Sequence, residues 1–285
     1  MADRDTLSPR RALRPVGGHP AFKGPLIALV VIVTALMVGG PLAVIFASAF
    51  SSGIAAYGAK LADPATLHAI FLTVLVALVV VPINIAFGIA AAWAVGKFDF
   101  PGRSLLIALI DVPYSVSPIV AGVAYLFVYG AQGLFGPMLE AAGIKIMFAL
   151  PAIFLASMFV TAPYVARELI PLMQAQGTDE EEAALSLGAS GLRTFILVTL
   201  PNIRSALIYG AILCNARVMG EFGAVSVVSG NIRGVTNTLP LQVELLYQDY
   251  NVAGAFAAAS VLALIGVATI IARGIVERIQ RKAEG

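Results

Sequence analysis

The chain has 285 residues, of which 59% are hydrophobic and 12% charged, with a net charge of +2. Soluble domains carry about 25% charged residues, so this composition excludes a water-exposed globule and, more strongly, a disordered chain. The single cysteine, Cys214, cannot form a disulfide within the chain, and the small net charge does not suggest binding to nucleic acid. An integral membrane protein remains, and we predict an all-α membrane fold.

The first 24 residues form a predicted basic tail that is rich in Pro and Gly. The apolar segment after it is too long for a cleaved signal peptide, so we expect a retained helix. A helix needs about 20 apolar residues to cross a hydrocarbon core of about 30 Å. We predict six spans within a membrane domain at 25–276, followed by a short tail at 277–285, with the spans near 26–50, 67–95, 105–129, 146–167, 200–228 and 252–276.

The distribution of Lys and Arg predicts that both termini lie in the cytoplasm. In this orientation the outer segments hold only Lys60, Lys145 and Arg233, and Arg217 falls within a span. The other basic residues, Arg167 included, then lie on the cytoplasmic side. We expect no further domain at either end, so an energy source or a ligand-capturing module has to come from other proteins.

Groups for catalysis are scarce. The two histidines, His19 and His68, are far apart, and no cluster of His, Cys, Asp and Glu has the spacing of a metal site. The segment 53–60 approaches a nucleotide-binding loop, but Leu61 stands where the hydroxyl residue is required. We therefore predict no catalytic residue, no metal and no cofactor in this chain, and no enzyme activity.

Two predicted spans contain helix-breaking residues. Pro113 and Pro118 bracket a segment of the third span, in which Ser115 and Ser117 offer hydroxyl groups. Irregular backbone at membrane depth persists only where it is buried or lines a cavity, so this segment is a candidate pore lining. Pro82 and Asn84 suggest a weaker break in the second span. Asp111 is either a carboxylate reaching the membrane interface or a partner of Arg204 or Arg103.

The loop between the fourth and fifth spans, at about 177–201, has the signals of a short helix outside the membrane. Thr178 and Glu181 have the spacing of a capping box, and four acidic residues suit the positive end of the helix dipole. Gly188 is a natural left-handed terminator, and Ser190 offers a second N-cap. The segment near Asp179–Leu187 is either a solvated loop helix or a docking site for a cytoplasmic partner.

Arg217 and Glu221 are the most costly residues of the fifth span, since a charge at the bilayer centre costs about 2.5–3.5 kcal/mol on insertion scales. They are spaced i, i+4, so they can pair on one helix. Three interpretations remain open. The pair is a structural ion pair, or Arg217 faces an anion path, or the pair locks this helix to a partner subunit.

The loop carries a family resemblance. Its spacing of Glu182-Ala183-Ala184, Gly188 and Leu200-Pro201 resembles the Glu-Ala-Ala loop of ABC importer permeases, with Val198 in place of the usual Ile. The segments 111–118, 159–171, 215–234 and 236–241 are similar to the W-type permeases of sulfate/thiosulfate importers. The companion T-type permeases resemble this chain more weakly.

The resemblance implies a six-helix permease of the type I ABC importer class in the bacterial inner membrane. It implies import of sulfate, and of thiosulfate, by alternating access, with a T-type permease, an ATPase subunit dimer that binds ATP and Mg, and an external sulfate-binding protein as partners. In that family the loop helix fits a groove on the ATPase. The residues assigned to coupling in this way are Thr178, Asp179, Glu180, Glu181, Glu182, Ala183, Ala184, Leu187, Gly188, Leu200 and Pro201.

For the substrate path, the candidates are Ser115, Ser117, Arg217 and Glu221. A guanidinium could assist a sulfate dianion by bidentate contacts. A permease for molybdate or another oxyanion is an alternative, because its coupling loop would look the same. An ion-coupled secondary transporter and a membrane enzyme are alternatives from other classes. The docking loop and the scarcity of intramembrane carboxylates argue against the first, and the missing catalytic groups argue against the second.

Overall fold

The computed structural model describes residues 20–283, and in this part of the chain helices joined by loops account for all regular structure, with no β-strand. Most of the predicted basic tail at 1–24 lies outside these residues. The segment up to Ile45 forms one unit, and the chain from Phe46 onward forms a second.

The helices of the first half follow the predicted spans, with one short helix before the second span and a π-helical turn, Ala35–Gly39, in the first. They are α1 (Pro20–Thr34), α2 (Gly40–Phe50), α3 (Ile54–Leu61), α4 (Pro64–Lys97), α5 (Arg103–Ser115), α6 (Pro118–Tyr129) and α7 (Gly136–Ala141).

The second half contains three long helices and several short ones, with a second π-helical turn at Phe195–Thr199. They are α8 (Leu150–Gln176), α9 (Asp179–Ser186), α10 (Gly191–Thr194), α11 (Leu200–Met219), α12 (Gly223–Val228), α13 (Leu239–Gln248) and α14 (Val252–Ala283).

Five continuous helical stretches of the described chain are long and apolar enough to cross a membrane. The pair α5 and α6, bent by 107° at the break between them, supplies a sixth if it is counted as one span. The six-helix prediction is therefore confirmed in number. The break follows from Pro118, because the residue before a proline is disfavoured in helical backbone, and Ser117 has a ψ of 132° there.

Two predicted boundaries are wrong. The fourth span was expected to end at residue 167, but α8 continues to Gln176, so Arg167 lies inside the helix. The fifth was expected as one helix over 200–228, but helical backbone begins at Gly191 and stops after Met219. The sixth candidate span, Val252–Val276, agrees with the prediction, and α14 continues beyond it to Ala283. Polar residues at these ends are compatible with helices that project beyond the apolar layer.

The core of the second unit is α8, which packs between α4 and α11. Val165 is fully buried and faces a glycine on each neighbour. A Cβ atom added to Gly88 of α4 would lie 2.6 Å from the Val165 Cβ, and one on Gly210 of α11 would lie 3.2 Å from the Val165 Cα. Small residues permit this close approach of helix backbones, which stabilises helix association in membranes.

Asn84 adds a polar contact to the same three helices. Its amide donates a hydrogen bond of 2.7 Å to Thr161 Oγ1 on α8, and it lies 3.8 Å from the Cys214 sulfur on α11. The predicted break near Pro82 and Asn84 is wrong, because α4 is continuous from Pro64 to Lys97. Asn84 connects helices instead of interrupting one.

The two ends of this bundle differ. At one end, called here the α13 side, the Leu239 N–H donates to Thr73 Oγ1 on α4 (2.8 Å), and Gln242 of α13 donates to Thr66 (3.4 Å). These contacts order the segment between α12 and α14 against the start of α4. At the other end, the α9 side, α4 and α8 end and α9 begins.

Candidate functional site

The helix α9 lies between the ends of two long helices and has glycine stops on both sides. Gly177 and Gly188 have φ values of +66° and +86°, a region that favours glycine. Gly188 therefore terminates the helix as predicted, although one residue earlier than expected, at Ser186. Ser190 accepts a hydrogen bond from the Arg193 N–H (3.4 Å), which confirms the second N-cap.

The predicted capping box is wrong. Thr178 makes no side-chain cap, and its hydroxyl donates to Glu182 Oε1 at 2.7 Å. Glu181, the expected reciprocal partner, points to neighbouring helices. The Glu181 carboxylate, which a capping box would use, forms an ion pair with Lys97 instead.

Glu181 connects α9 to two spanning helices. Its Oε1 lies 2.8 Å from the Lys97 Nζ at the end of α4, and it accepts a hydrogen bond of 3.1 Å from Thr199 Oγ1. Lys97 also donates to the Gly177 carbonyl. The Lys97 and Glu181 side chains are only 5% and 15% exposed, so this ion pair is better shielded from solvent than a surface pair.

A second carboxylate reinforces the attachment. Asn202 of α11 donates to Glu180, and Gln176 at the end of α8 donates to the Asn202 carbonyl (3.2 Å). Through Glu180 and Glu181 the helix α9 is therefore joined to α4 and α11.

Two opposing effects set the pKa of Glu181. Partial burial alone would raise it, but the hydrogen bond and positive charge of Lys97, together with the Thr199 hydroxyl, lower it below its ordinary value. A carboxyl with a lowered pKa stabilises the folded contact above its unfolded pKa and loses that contribution as the pH falls through the folded pKa. The ion pair is therefore fully formed at neutral pH.

Apolar side chains at the end of α9 are exposed. Leu185 and Leu187 are 51% and 89% exposed, and Leu192 in the following turn is 71% exposed. Asp179, Glu182, Ala183 and Pro201 are also exposed, whereas Ala184 and Leu200 are half-buried. Apolar side chains displayed on a short, fixed helix form a surface suited to a protein partner.

The substrate-path candidates lie at two helix breaks that contact each other. Ser115 and Ser117 are exposed at the break between α5 and α6. Gly223 starts α12, and a Cβ added to it would lie 3.0 Å from the Pro118 Cβ. The break between α11 and α12 therefore packs against the start of α6, which brings the two pairs of candidates into one region.

Arg217 and Glu221 form an ion pair of 2.5 Å, although Glu221 lies beyond the end of α11 and not on the same helix as expected. The Glu221 side chain is 1% exposed, and its other oxygen accepts a hydrogen bond of 2.9 Å from the Ala224 N–H. Glu221 therefore caps α12. Arg217, 28% exposed, is the member of the pair that solvent reaches.

The partners expected for Asp111 are also wrong. Asp111 Oδ1 lies 3.5 Å from the Arg167 Nε on α8, whereas Arg103 pairs with Asp99 at 2.9 Å. The reason is the length of α8, which keeps Arg167 level with Asp111. Sequence reasoning also missed Lys97, because no spacing pattern connects it with a carboxylate in a distant loop.

Among the described residues, no group of three or more His, Cys, Asp and Glu side chains is arranged to hold a metal ion. The arrangement offers a short helix anchored to two spans, with exposed leucines, and a pair of packed helix breaks.

Comparison with known proteins covers the part of the chain that contains both features. The profile of the family described as "Binding-protein-dependent transport system inner membrane component" matches residues 84–282, which include α9 and both helix breaks. This chain belongs to that family.

Two curated relatives differ in how similar they are to this chain. The chain is 52% identical over 264 residues to the sulfate transport system permease protein CysW of Escherichia coli strain K12, and the match covers 93% of this chain and 90% of the relative. It is 36% identical over 208 residues to the CysT protein of Salmonella typhimurium strain LT2, covering 73% and 75%. The W-type resemblance is therefore the stronger, as expected.

The fold of the permease is shared with a solved structure, a bacterial ABC transporter involved in the import of the acidic polysaccharide alginate. The TM-score is 0.73 at 13% identity, and the match covers 92% of this permease and 96% of that chain. The expected fold of an ABC importer permease is confirmed.

Proposed function

We propose that the chain is the W-type permease subunit of an ATP-driven importer that moves sulfate, and thiosulfate, into the bacterial cytoplasm. The observation that carries this proposal is α9, a docking helix whose carboxylates are joined to α4 and α11 and whose leucines are open to a partner. The choice of substrate is supported by the 52% identity to CysW.

In this function the chain supplies the path and not the catalysis. A separate ATPase subunit dimer binds ATP and Mg and docks on α9. Closure of that dimer moves α9, and the Lys97–Glu181 and Glu180–Asn202 contacts carry the movement into α4 and α11. A T-type permease forms the other half of the pore, and an external sulfate-binding protein delivers the anion.

The proposed ATPase partner also determines the orientation of the permease in the membrane. The α9 side faces the cytoplasm, where ATP is available, and the α13 side faces outward to receive the binding protein. Both termini lie in the cytoplasm, in agreement with the excess of Lys and Arg in the segments assigned to that side.

The test is uptake of radiolabelled sulfate into vesicles that contain the permease, the T-type permease and the ATPase, with ATP inside and binding protein outside. We expect uptake that requires both ATP and binding protein. Uptake driven by a proton or sodium gradient without ATP would contradict the proposal and indicate a secondary transporter. Stronger competition by molybdate than by thiosulfate would reassign the substrate.

The coupling role is tested with Leu187→Asp, which puts a charge on the docking surface. We expect uptake to fall by at least about tenfold, since a buried apolar contact at an interface centre contributes 1.4 kcal/mol or more. Leu134→Asp is the matched control, because Leu134 is 77% exposed in a loop far along the chain from α9. Equal effects of the two variants would remove α9 from the mechanism.

A further inference from the structure

A cluster of Arg167, Asp111 and Tyr114 joins α8 to α5. The Arg167 Nε lies 3.5 Å from Asp111 Oδ1, and its guanidinium carbon lies 4.3 Å from the centroid of the Tyr114 ring. The side chains of Arg167 and Asp111 are 46% and 41% exposed, and Tyr114 is 59% exposed. The cluster is thus fixed on one side and open on the other.

Its position within the candidate spans is the second observation. At 1.5 Å per residue, Arg167 lies about 13 Å from the end of α8 at Gln176. Asp111 lies about 12 Å from the start of α5 at Arg103. By length and composition α8 is a candidate span, and α5 belongs to the bent pair that counts as another. Both charges therefore lie within candidate spans and not at the helix ends.

An exposed charged cluster within a span is not expected to face lipid. Ionisable residues within spans face a water-filled cavity or pair within the protein. The cluster directly precedes the break at Ser115–Ser117, where both hydroxyl groups are exposed and the backbone is irregular. Irregular backbone at membrane depth is also confined to protein interiors and cavities. Both features are typical of residues that line a water-filled space.

The chemistry of this space suits an oxyanion. Among the described residues, no hydrogen bond is donated by the two Nη groups of Arg167, so the outer part of the guanidinium is available for a bidentate contact. Asp111 beside it lowers the net positive charge. A pathway needs attraction strong enough for entry and weak enough for release, and a guanidinium with a loosely paired carboxylate meets both conditions.

We propose that Arg167 is a transient oxyanion contact in the translocation path, with Ser115 and Ser117 as neighbouring hydroxyl donors. Asp111 and Tyr114 hold the guanidinium in place and limit its affinity. This proposal rests on the proposed import of sulfate and adds a residue to that path. Arg217 differs from it, because its partner Glu221 is buried and caps a helix.

The test compares sulfate uptake by wild type, Arg167→Gln and the double variant Arg167→Gln/Asp111→Asn in the vesicle assay above. We expect both variants to lose at least about tenfold in initial rate, the equivalent of one charge-assisted hydrogen bond. If the pair were only structural, removal of both charges would restore uptake that the single variant had lost, because two neutral amides leave no unpaired charge. That restoration, or wild-type rates in Arg167→Gln, would overturn the proposal.

Arg273→Gln is the matched control, since the Arg273 guanidinium also lies over a tyrosine ring, Tyr209, at 4.6 Å. It should transport at the wild-type rate. Failure of the wild type to import sulfate would count against the proposed function and not against this contact. The two failures are therefore distinguishable.

A readout that does not depend on transport is the reactivity of Ser115→Cys with a water-soluble anionic thiol reagent in the assembled complex. We expect rapid labelling that saturating sulfate slows. Wild type supplies the background, because Cys214 is fully buried. No labelling of Ser115→Cys in either the ATP-free or the ATP-bound complex would show that water does not reach this site and would overturn the proposal.

Discussion

At the scale of single residues, the buried carboxylates of this permease have structural partners that their position along the chain does not reveal. Glu221 pairs with Arg217 and also caps α12 through the Ala224 N–H. Glu181 leaves its own helix end to reach Lys97 and Thr199. In each case the charge is stabilised by contacts from more than one element, so its loss affects how elements are joined.

Glu221→Ala should destabilise the protein more than Glu221→Gln. Alanine removes both the cap and the ion pair, whereas glutamine keeps an acceptor for the Ala224 N–H. We expect a loss of about 2–3 kcal/mol for alanine, below the 3–5 kcal/mol of a fully buried pair, because Arg217 is 28% exposed. Thermal unfolding in detergent measures the difference, and equal melting temperatures for the two variants would contradict the capping role.

The Lys97–Glu181 ion pair should be required for coupling. We expect Lys97→Met to reduce sulfate uptake while the ATPase activity of the assembled complex remains, because α9 loses its attachment to α4 but keeps its docking surface. Comparison of uptake per ATP hydrolysed measures this uncoupling. Asp99→Asn is the control, since it breaks an ion pair in which Asp99 is 95% exposed, worth about 0–1 kcal/mol. A similar loss in both variants would contradict a specific role for Lys97.

At the scale of helices, close packing around α8 joins α4, α8 and α11 into one bundle. Gly88, Gly96 and Gly210 let α4 and α11 approach its backbone, and Val165, Leu169 and Met173 fill the space between them. The breaks after α5 and α11 have a different role. They interrupt two spans, and the helices that follow the breaks, α6 and α12, pack against each other.

Gly88→Ala should therefore destabilise the bundle, since the new Cβ would lie 2.6 Å from two atoms of Val165. Overpacking of this kind costs about 1–3 kcal/mol, and we expect a melting temperature several degrees lower in detergent. Gly266→Ala in α14 is the matched control, because its Cβ would meet no atom within 4 Å and alanine favours a helix. A variant of Gly88 as stable as that of Gly266 would show that the α4–α8 contact is looser than described.

At the scale of the whole molecule, the α9 side and the α13 side carry different structural elements. The proposed mechanism needs these two ends on opposite sides of the membrane. The α9 side carries a short helix with exposed leucines. The α13 side carries a segment ordered against α4 by Thr73 and Thr66. ATP-driven import requires the first to face the cytoplasm and the second to face the binding protein.

Cysteine labelling from outside intact cells tests this orientation. Leu134→Cys should react with a membrane-impermeant thiol reagent in intact cells, and Leu187→Cys only after permeabilisation; the two leucines are 77% and 89% exposed. Wild type should not react in either condition, because Cys214 is fully buried. The reverse pattern would invert the topology and exclude docking of a cytoplasmic ATPase on α9.

The sequence alone determined the features that depend on composition and on local spacing. Apolar runs of sufficient length predicted six spans, glycine and serine predicted the end of α9 and the cap after it, and the Glu-Ala-Ala spacing predicted the family. These signals are local because hydrocarbon thickness and backbone geometry act on continuous segments.

Only the tertiary structure decided which distant residues meet. It joined Lys97 to Glu181 and Asp111 to Arg167, made Asn84 a contact between helices, and placed Arg167 within α8. The physical reason is that a charge in a low-dielectric environment takes whichever opposite charge the packing of helices brings near it. That packing depends on three-dimensional contacts such as Gly88 against Val165, which no short stretch of sequence encodes.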